Sequence, residues 1–259
     1  MNLLLPVWTL WQREVVRFLR QRSRWMSALV QPLVFWLLLG TGLRASFQPA
    51  GAPRGTAYME YFFPGIVALV ILFTAIFATI SIVEDRHQGF LQGVLVAPVP
   101  RSSIVLGQAF GGTTLALLEG ALYLILAPFT GIPLSPAAVL ASLAAMALLA
   151  FEMNGLGLII AWRMESTQGF HAVMNLILMP LWLLSGAFFP ASGAPLWLEW
   201  VMRLNPLTYG MAVLRRSLYL GDPAAAGDLP PLLPALAVTG LFCVATVVAA
   251  SAAARRCRP

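Results

Sequence analysis

Six runs of apolar residues, each about as long as a membrane-crossing helix, constrain this chain more than any other feature. A helix needs about 20 predominantly apolar residues to cross a bilayer, and runs of that kind lie at about 25–43, 61–83, 104–129, 137–162, 169–187 and 232–253. Composition agrees, with 59% hydrophobic and only 10% charged residues, where a soluble domain carries roughly 25% charged. Most of the surface therefore faces something other than water. The fold class that follows is an all-α integral membrane protein of six transmembrane helices, a single membrane domain over 1–259 without an internal repeat.

The segments between the runs are as informative. Residues 1–24 form an amphipathic stretch: at 100° per residue Trp8, Trp11, Val15 and Phe18 share one face, and Arg13, Arg17, Arg20 and Arg24 the other. That pattern predicts an interfacial helix with its arginines toward headgroups and water. The first span carries Pro32, a kink, and is followed by a loop with Pro49, Pro53 and Gly55. Residues 84–103 are polar-rich with a short amphipathic helix in the middle, stopped by Pro98 and Pro100. Gly131, Pro133 and Pro136 mark a tight turn, and Pro180 interrupts the fifth run. Residues 188–228 are too short and too polar for two spans, and contain two short amphipathic pieces broken by Pro190, Pro195 and Pro206.

All sixteen basic residues are arginines, against ten acids, for a formal charge of +6. With no lysine the chain cannot build a P-loop, whose lysine sits on the phosphates, nor act as a Schiff-base enzyme. Its arginines flank the apolar runs. With the N-terminus in the cytoplasm, eleven fall inside and five, Arg44, Arg54, Arg203, Arg215 and Arg216, outside. The positive-inside rule thus places both termini in the cytoplasm. Five arginines precede the first run and no small-residue site follows it, so a cleavable signal is not expected. Cys243 and Cys257 give no disulfide framework or zinc site.

Two motifs add a resemblance. VEDRHQGFLQGVLVAPVPRSSIVLGQ, Val83 to Gln108, and LSGAFFPASGAPLWLEWVMRLNPLTYGMAVLR, Leu184 to Arg215, resemble the cytoplasmic loop and the segment before the last span in permease subunits of ABC-2 type transporters. The order of elements is similar too: an interfacial helix, two spans, a cytoplasmic helix, three spans, an extracellular re-entrant pair and a last span. One departure is Gly89–Phe90–Leu91–Gln92, where the family usually has a glutamate after Gly-Thr-Leu. The resemblance implies a prokaryotic inner (plasma) membrane protein. It implies a homodimer of permeases bound to two cytoplasmic ATPase subunits that hold the ATP and magnesium, and export of a hydrophobic or amphipathic substrate, drug-like or lipid-like. No cofactor and no enzymatic role is expected in this chain. Polysaccharide or glycolipid export by the same architecture is the alternative, and an ion-gradient-driven secondary transporter the rival class.

On that reading Glu84 to Arg101 is the coupling element. Phe90, Leu91, Val94 and Leu95 would enter a groove on the ATPase in the helix-in-groove manner, with Glu84, Asp85, Arg86 and Arg101 available for its charges. The competing reading is a helix lying on lipid headgroups. Glu119 and Glu152 are the acids inside apolar runs; charge there costs roughly 3 kcal/mol or more, so each either lines a substrate pathway or makes a structural interhelical bond. Pro190, Trp197, Pro206 and Tyr209 would form an extracellular gate, or else aromatics of the interfacial belt. Gly107 and Gly111 make a GxxxG step that permits close helix contact. His87 and His171 have no metal-ligand spacing around them.

Overall fold

In the computed structural model the described residues are 4–42, 58–191, 194–222, 226–227 and 229–256. The loop with Pro49, Pro53 and Gly55, Arg44 and Arg54, and the tail with Cys257 lie outside them. Among the described residues every regular element is helical: α1 (Leu4–Arg20), α2 (Arg22–Gly42), α3 (Tyr58–Ala78), α4 (Ile80–His87), α5 (Phe90–Val96), α6 (Arg101–Leu124), α7 (Pro136–Ala161), α8 (Thr167–Trp182), α9 (Leu196–Leu204), α10 (Pro206–Leu218) and α11 (Leu232–Arg256). A 3-10 turn, Ala127–Thr130, ends the α6 arm, and a π-helical turn, Leu183–Ala187, ends α8.

α3 is the central post. Its sequence is apolar all round rather than on one stripe, the mark of a helix enclosed on every side, and α2, α6 and α7 pack around it. With α4 it forms a 30-residue rod, Tyr58–His87, roughly 45 Å long. The hydrocarbon core is only about 30 Å thick, so the charged end of α4 must stand beyond it. Among the described residues five stretches are long and apolar enough to cross a membrane: Tyr58–His87, Arg101–Leu124, Pro136–Ala161, Thr167–Ala187 and Leu232–Arg255. The apolar part of α2, Ala28–Gly42, falls short of that length. α9 and α10, of 9 and 13 residues, are shorter still. α11 lies at the rim and leaves Leu233, Leu241, Val244 and Val248 exposed, as a lipid-facing helix does.

α1 does not lie free of the bundle. It packs along α6 through Leu10, Glu14 and Phe18, and the GxxxG step makes this possible. A Cβ on Gly107 would sit 2.7 Å from the Leu10 Cβ, and one on Gly111 2.8 Å from the Glu14 Cβ. Gly111→Leu is therefore expected to lift α1 off α6 at a cost of about 1–3 kcal/mol. Limited trypsin digestion at the α1 arginines would report it, and unchanged protection would contradict the contact.

The end of α8 unwinds for local reasons. Pro180 withholds a backbone N–H, and Gly186 turns left-handed at φ 81°. The carbonyls freed there are met by side chains from the following segment. Asn205 Nδ2 donates to Leu181 O (2.7 Å), Thr208 Oγ1 to Leu184 O (3.4 Å), and Arg215 Nη2 to Gly186 O (3.4 Å), while Tyr61 Oη reaches Gly186 O from α3 (3.2 Å). Buried backbone groups demand partners, and the motif Asn205–Pro206–Leu207–Thr208 with Arg215 supplies them.

Candidate transport site

The segment from Glu84 to Arg101 is tied into its own chain. α1 runs beside α6 in the same direction, Leu10 at Gly107 and Glu14 at Gly111, and brings its basic face to the end of α4. Arg13 grips Asp85 with both nitrogens (2.6 and 2.5 Å), Arg17 bonds Asp85 (3.0 Å) and also Glu84, and the Arg13 guanidinium lies 3.9 Å from the Phe90 ring centre. Beneath them, Glu14 is buried and accepts from Gln108 Nε2 (3.1 Å), while Gln108 Oε1 accepts from Ser81 Oγ (3.1 Å). Burial pushes the Glu14 carboxyl up from its ordinary value, against the pull of Arg13 and Arg17. Arg86 donates to the carbonyls of Trp162 (3.0 Å) and Met164 (2.8 Å) at the end of α7, and Arg101 to Ala254 O of α11 (2.7 Å).

Glu84, Asp85, Arg86 and Arg101 find partners inside the chain, because the body of α1 passes this level and α7 and α11 end at it. Arg13 and Arg17 face carboxylates rather than headgroups, while Arg20 remains exposed. In the apolar set, Leu91 is buried, Val94 and Leu95 are half-buried against the core, and Phe90 (41% exposed) and Val96 (75%) project outward. The outward surface of α5 is thus Phe90, Gln92, Gly93 and Val96.

Next to this clasp opens a cavity of about 630 Å³ between α2, α3–α4 and α8, a size typical of ligand sites. Ile80 and Glu84 of α4 belong to its wall, so the helix that carries Asp85 also shapes the cavity. Gln31, Phe73, Thr74, Phe77, His171 and Asn175 line its middle, and Phe35, Leu69, Met179 and Trp182 its far end.

The two intramembrane acids are not among the lining residues. Glu119 of α6 accepts from Thr74 Oγ1, so it stands behind a wall residue. Glu152 of α7 is fully buried, with both carboxylate oxygens lacking a hydrogen-bond partner among the described residues. Gly210 of α10 opens toward it: a Cβ there would be 3.3 Å from Glu152 Oε2. In the outer segment, Trp197 projects away from the chain at 68% exposure, Tyr209 Oη donates to Arg203 O (2.9 Å), Pro190 is half-buried, and Pro206 opens α10. Arg215 and Arg216, counted among the outside arginines, have structural partners. Arg215 is buried 4.2 Å from the Tyr61 ring centre and bonds Tyr61 O (3.2 Å), and Arg216 caps Leu229 and Pro230 carbonyls.

Neither the acids nor the histidines of the sequence point to the cavity. Its signal in the sequence was modest: neutral polar residues, Gln31 and Asn175, inside apolar runs.

A bundle of long apolar helices around an enclosed post, with a charged helical tip beyond the membrane and a cavity at its foot, defines a multi-pass membrane transport protein. The chain belongs to the ABC-2 type transporter family, whose model matches residues 6–219. Among curated proteins it is similar to the inner membrane transport permease YadH of Escherichia coli K12, 26% identical with 92% of this chain and 90% of that one covered. The transport permease ycf38 of Cyanophora paradoxa is 27% identical, with coverage of 79% and 71%. Nodulation protein J of Rhizobium leguminosarum bv. trifolii is 26% identical, with coverage of 82% and 80%.

Proposed function

We propose that this chain is the membrane-spanning permease subunit of an ATP-driven exporter, working as a pair with two separate cytoplasmic ATPase subunits that hold ATP and magnesium. Both termini lie in the cytoplasm of a prokaryotic cell, α2 serves as a sixth, kinked span, and α9–α10 form a re-entrant pair at the outer face. The substrate is hydrophobic or amphipathic and crosses by alternating access. The observation that carries this reading is that α4 belongs to both sites. Its end is clamped by Arg13 and Arg17 and continues into α5, while its Ile80 and Glu84 wall the cavity. A push on Phe90 and Val96 from below would reach that wall across the two-residue turn Gln88–Gly89. Glu119, through Thr74, stands one bond from the cavity wall, and Glu152 sits where α7 meets α10, so that movement of α10 would change its surroundings.

The test is co-purification with a candidate P-loop ATPase subunit and reconstitution in proteoliposomes. The permease alone is expected to hydrolyse no ATP, and the complex to hydrolyse it and transport. Phe90→Asp with Val96→Asp, both on the exposed side of α5, should leave membrane insertion intact and uncouple hydrolysis from transport. Unchanged transport in that double variant would remove α5 as the coupling element, and hydrolysis by the verified pure chain would overturn the division of labour.

A further inference from the structure

The polar groups of the cavity are ordered by depth. Phe77 and His171 lie at one level, their ring centres 5.0 Å apart. Phe35, Trp182 and Gly65 lie at another: Phe35 and Trp182 are 6.3 Å apart, and Trp182 Nε1 donates to Gly65 O at 2.8 Å. From His171 to Trp182 α8 climbs roughly 16 Å. Asn175 sits one turn above His171 on the same helix, and Gln31 one turn below Phe35 on α2, so both amides fall between the two levels. Beyond them the walls are Phe35, Leu69, Met179 and Trp182, with no polar side chain but the committed indole.

The Gln31 and Asn175 side chains are exposed and make no hydrogen bond within the described residues. In a lipid environment an amide without a partner costs several kcal/mol, so two of them facing one cavity call for an occupant that hydrogen-bonds. The carboxylate among the described lining residues, Glu84, is already matched by Arg17. A fully charged head would have to leave water without a free counter-charge from these groups, which is expensive; a hydroxylated or amide-bearing head would not.

We infer that the cavity selects an uncharged amphiphile, held with a hydroxyl- or amide-bearing head at Gln31, His171 and Asn175 and an apolar tail toward Met179 and Trp182. The inference rests on the cavity being the transport site. Gln31 and Asn175 then act as specificity determinants. His171, ring against Phe77, forms the floor on which the head rests, and Trp182 closes the tail end.

The full chain in lipid nanodiscs tests this with three probes that share a pyrene-labelled alkyl tail and differ in head: glucosyl, trimethylammonium or phosphate. Uptake is measured in excess of protein-free discs. The glucosyl probe is expected to bind about tenfold more tightly than either charged probe, and Gln31→Leu or Asn175→Leu each to erase about tenfold, one good hydrogen bond's worth. Met179→Trp, which fills the tail end, should weaken every probe that binds. Equal or tighter binding of a charged probe, or unchanged glucosyl binding in both leucine variants, overturns the inference while a Met179→Trp effect leaves the cavity reading standing. If Met179→Trp changes nothing for any probe, the cavity reading itself falls. If Asn175→Leu instead separates paired copies with uptake per copy unchanged, the amide serves a second copy of the chain and the inference fails.

Discussion

Asp85→Ala is expected to release α1 from the bundle. Asp85 is buried and takes three hydrogen bonds from two guanidinium groups, at 2.5, 2.6 and 3.0 Å. Removing one partner of such a pair leaves the others desolvated without compensation, which costs about 3–5 kcal/mol. The arginines keep some solvent, with side-chain exposures of 28% and 20%, so the lower end of that range applies. Two readouts follow: a fall in the melting temperature of the protein in nanodiscs, and rapid trypsin cleavage within α1. Arg13→Asp combined with Asp85→Arg should recover part of the loss, because the fork and the carboxylate only trade places. Arg203→Ala is the control. Its partner Glu199 is one helical turn away and Arg203 is 61% exposed, so it should shift stability by less than about 1 kcal/mol. An Asp85→Ala protein that melts and digests like this control would refute the clasp.

Gly65→Val is expected to be comparably damaging, at the opposite end of α3. A Cβ on Gly65 would lie 2.6 Å from the Ala187 carbonyl oxygen and 3.0 Å from the Ala187 Cβ. The first clash is with backbone, which has no rotamer to give. Trp182 also donates to Gly65 O at 2.8 Å, so displacement of the unwound turn breaks that bond as well. Overpacking of this kind costs about 1–3 kcal/mol, and the lost hydrogen bond adds roughly 1 kcal/mol. Gly186→Ala separates strain from clash: its Cβ would meet nothing within 4 Å, but its φ is 81°. The alanine variant should lose only about 1 kcal/mol. If Gly65→Val is no worse than Gly186→Ala, the tight approach of α3 to the α8 turn is not a constraint on the fold.

The helical class was legible because it follows from composition and run length alone. A chain this apolar must turn its surface to lipid, and runs near 20 residues have one way to do so. The count was less secure. The α2 run is diluted by Gln31, Pro32 and its arginine-rich start, and only Ala28–Gly42 reads as apolar helix among the described residues. In the polar segment 84–103, the short helix before Pro98 was visible as a pattern, but which of its side chains face outward was not. Leu91 and Val96 are both apolar and five residues apart, and only packing decides that one is buried and the other open.

Charge showed the same divide. The sequence determined that α1 is basic on one face and that Glu84 and Asp85 open the next polar segment; it did not determine that the two meet, across some 70 residues. That meeting depends on Gly107 and Gly111 admitting α1 against α6, a contact between segments that local periodicity does not record. Likewise Asn205, Thr208 and Arg215 read as a family motif, and their task became clear only once α8 was seen to unwind beside them. Apolar run length, proline placement and charge asymmetry are properties of neighbouring residues, so the sequence by itself settled the helices and their class. The clasp, the cavity and the capped turn are made of residues far apart in the chain, and only tertiary packing, which fixes who desolvates whom, could decide them.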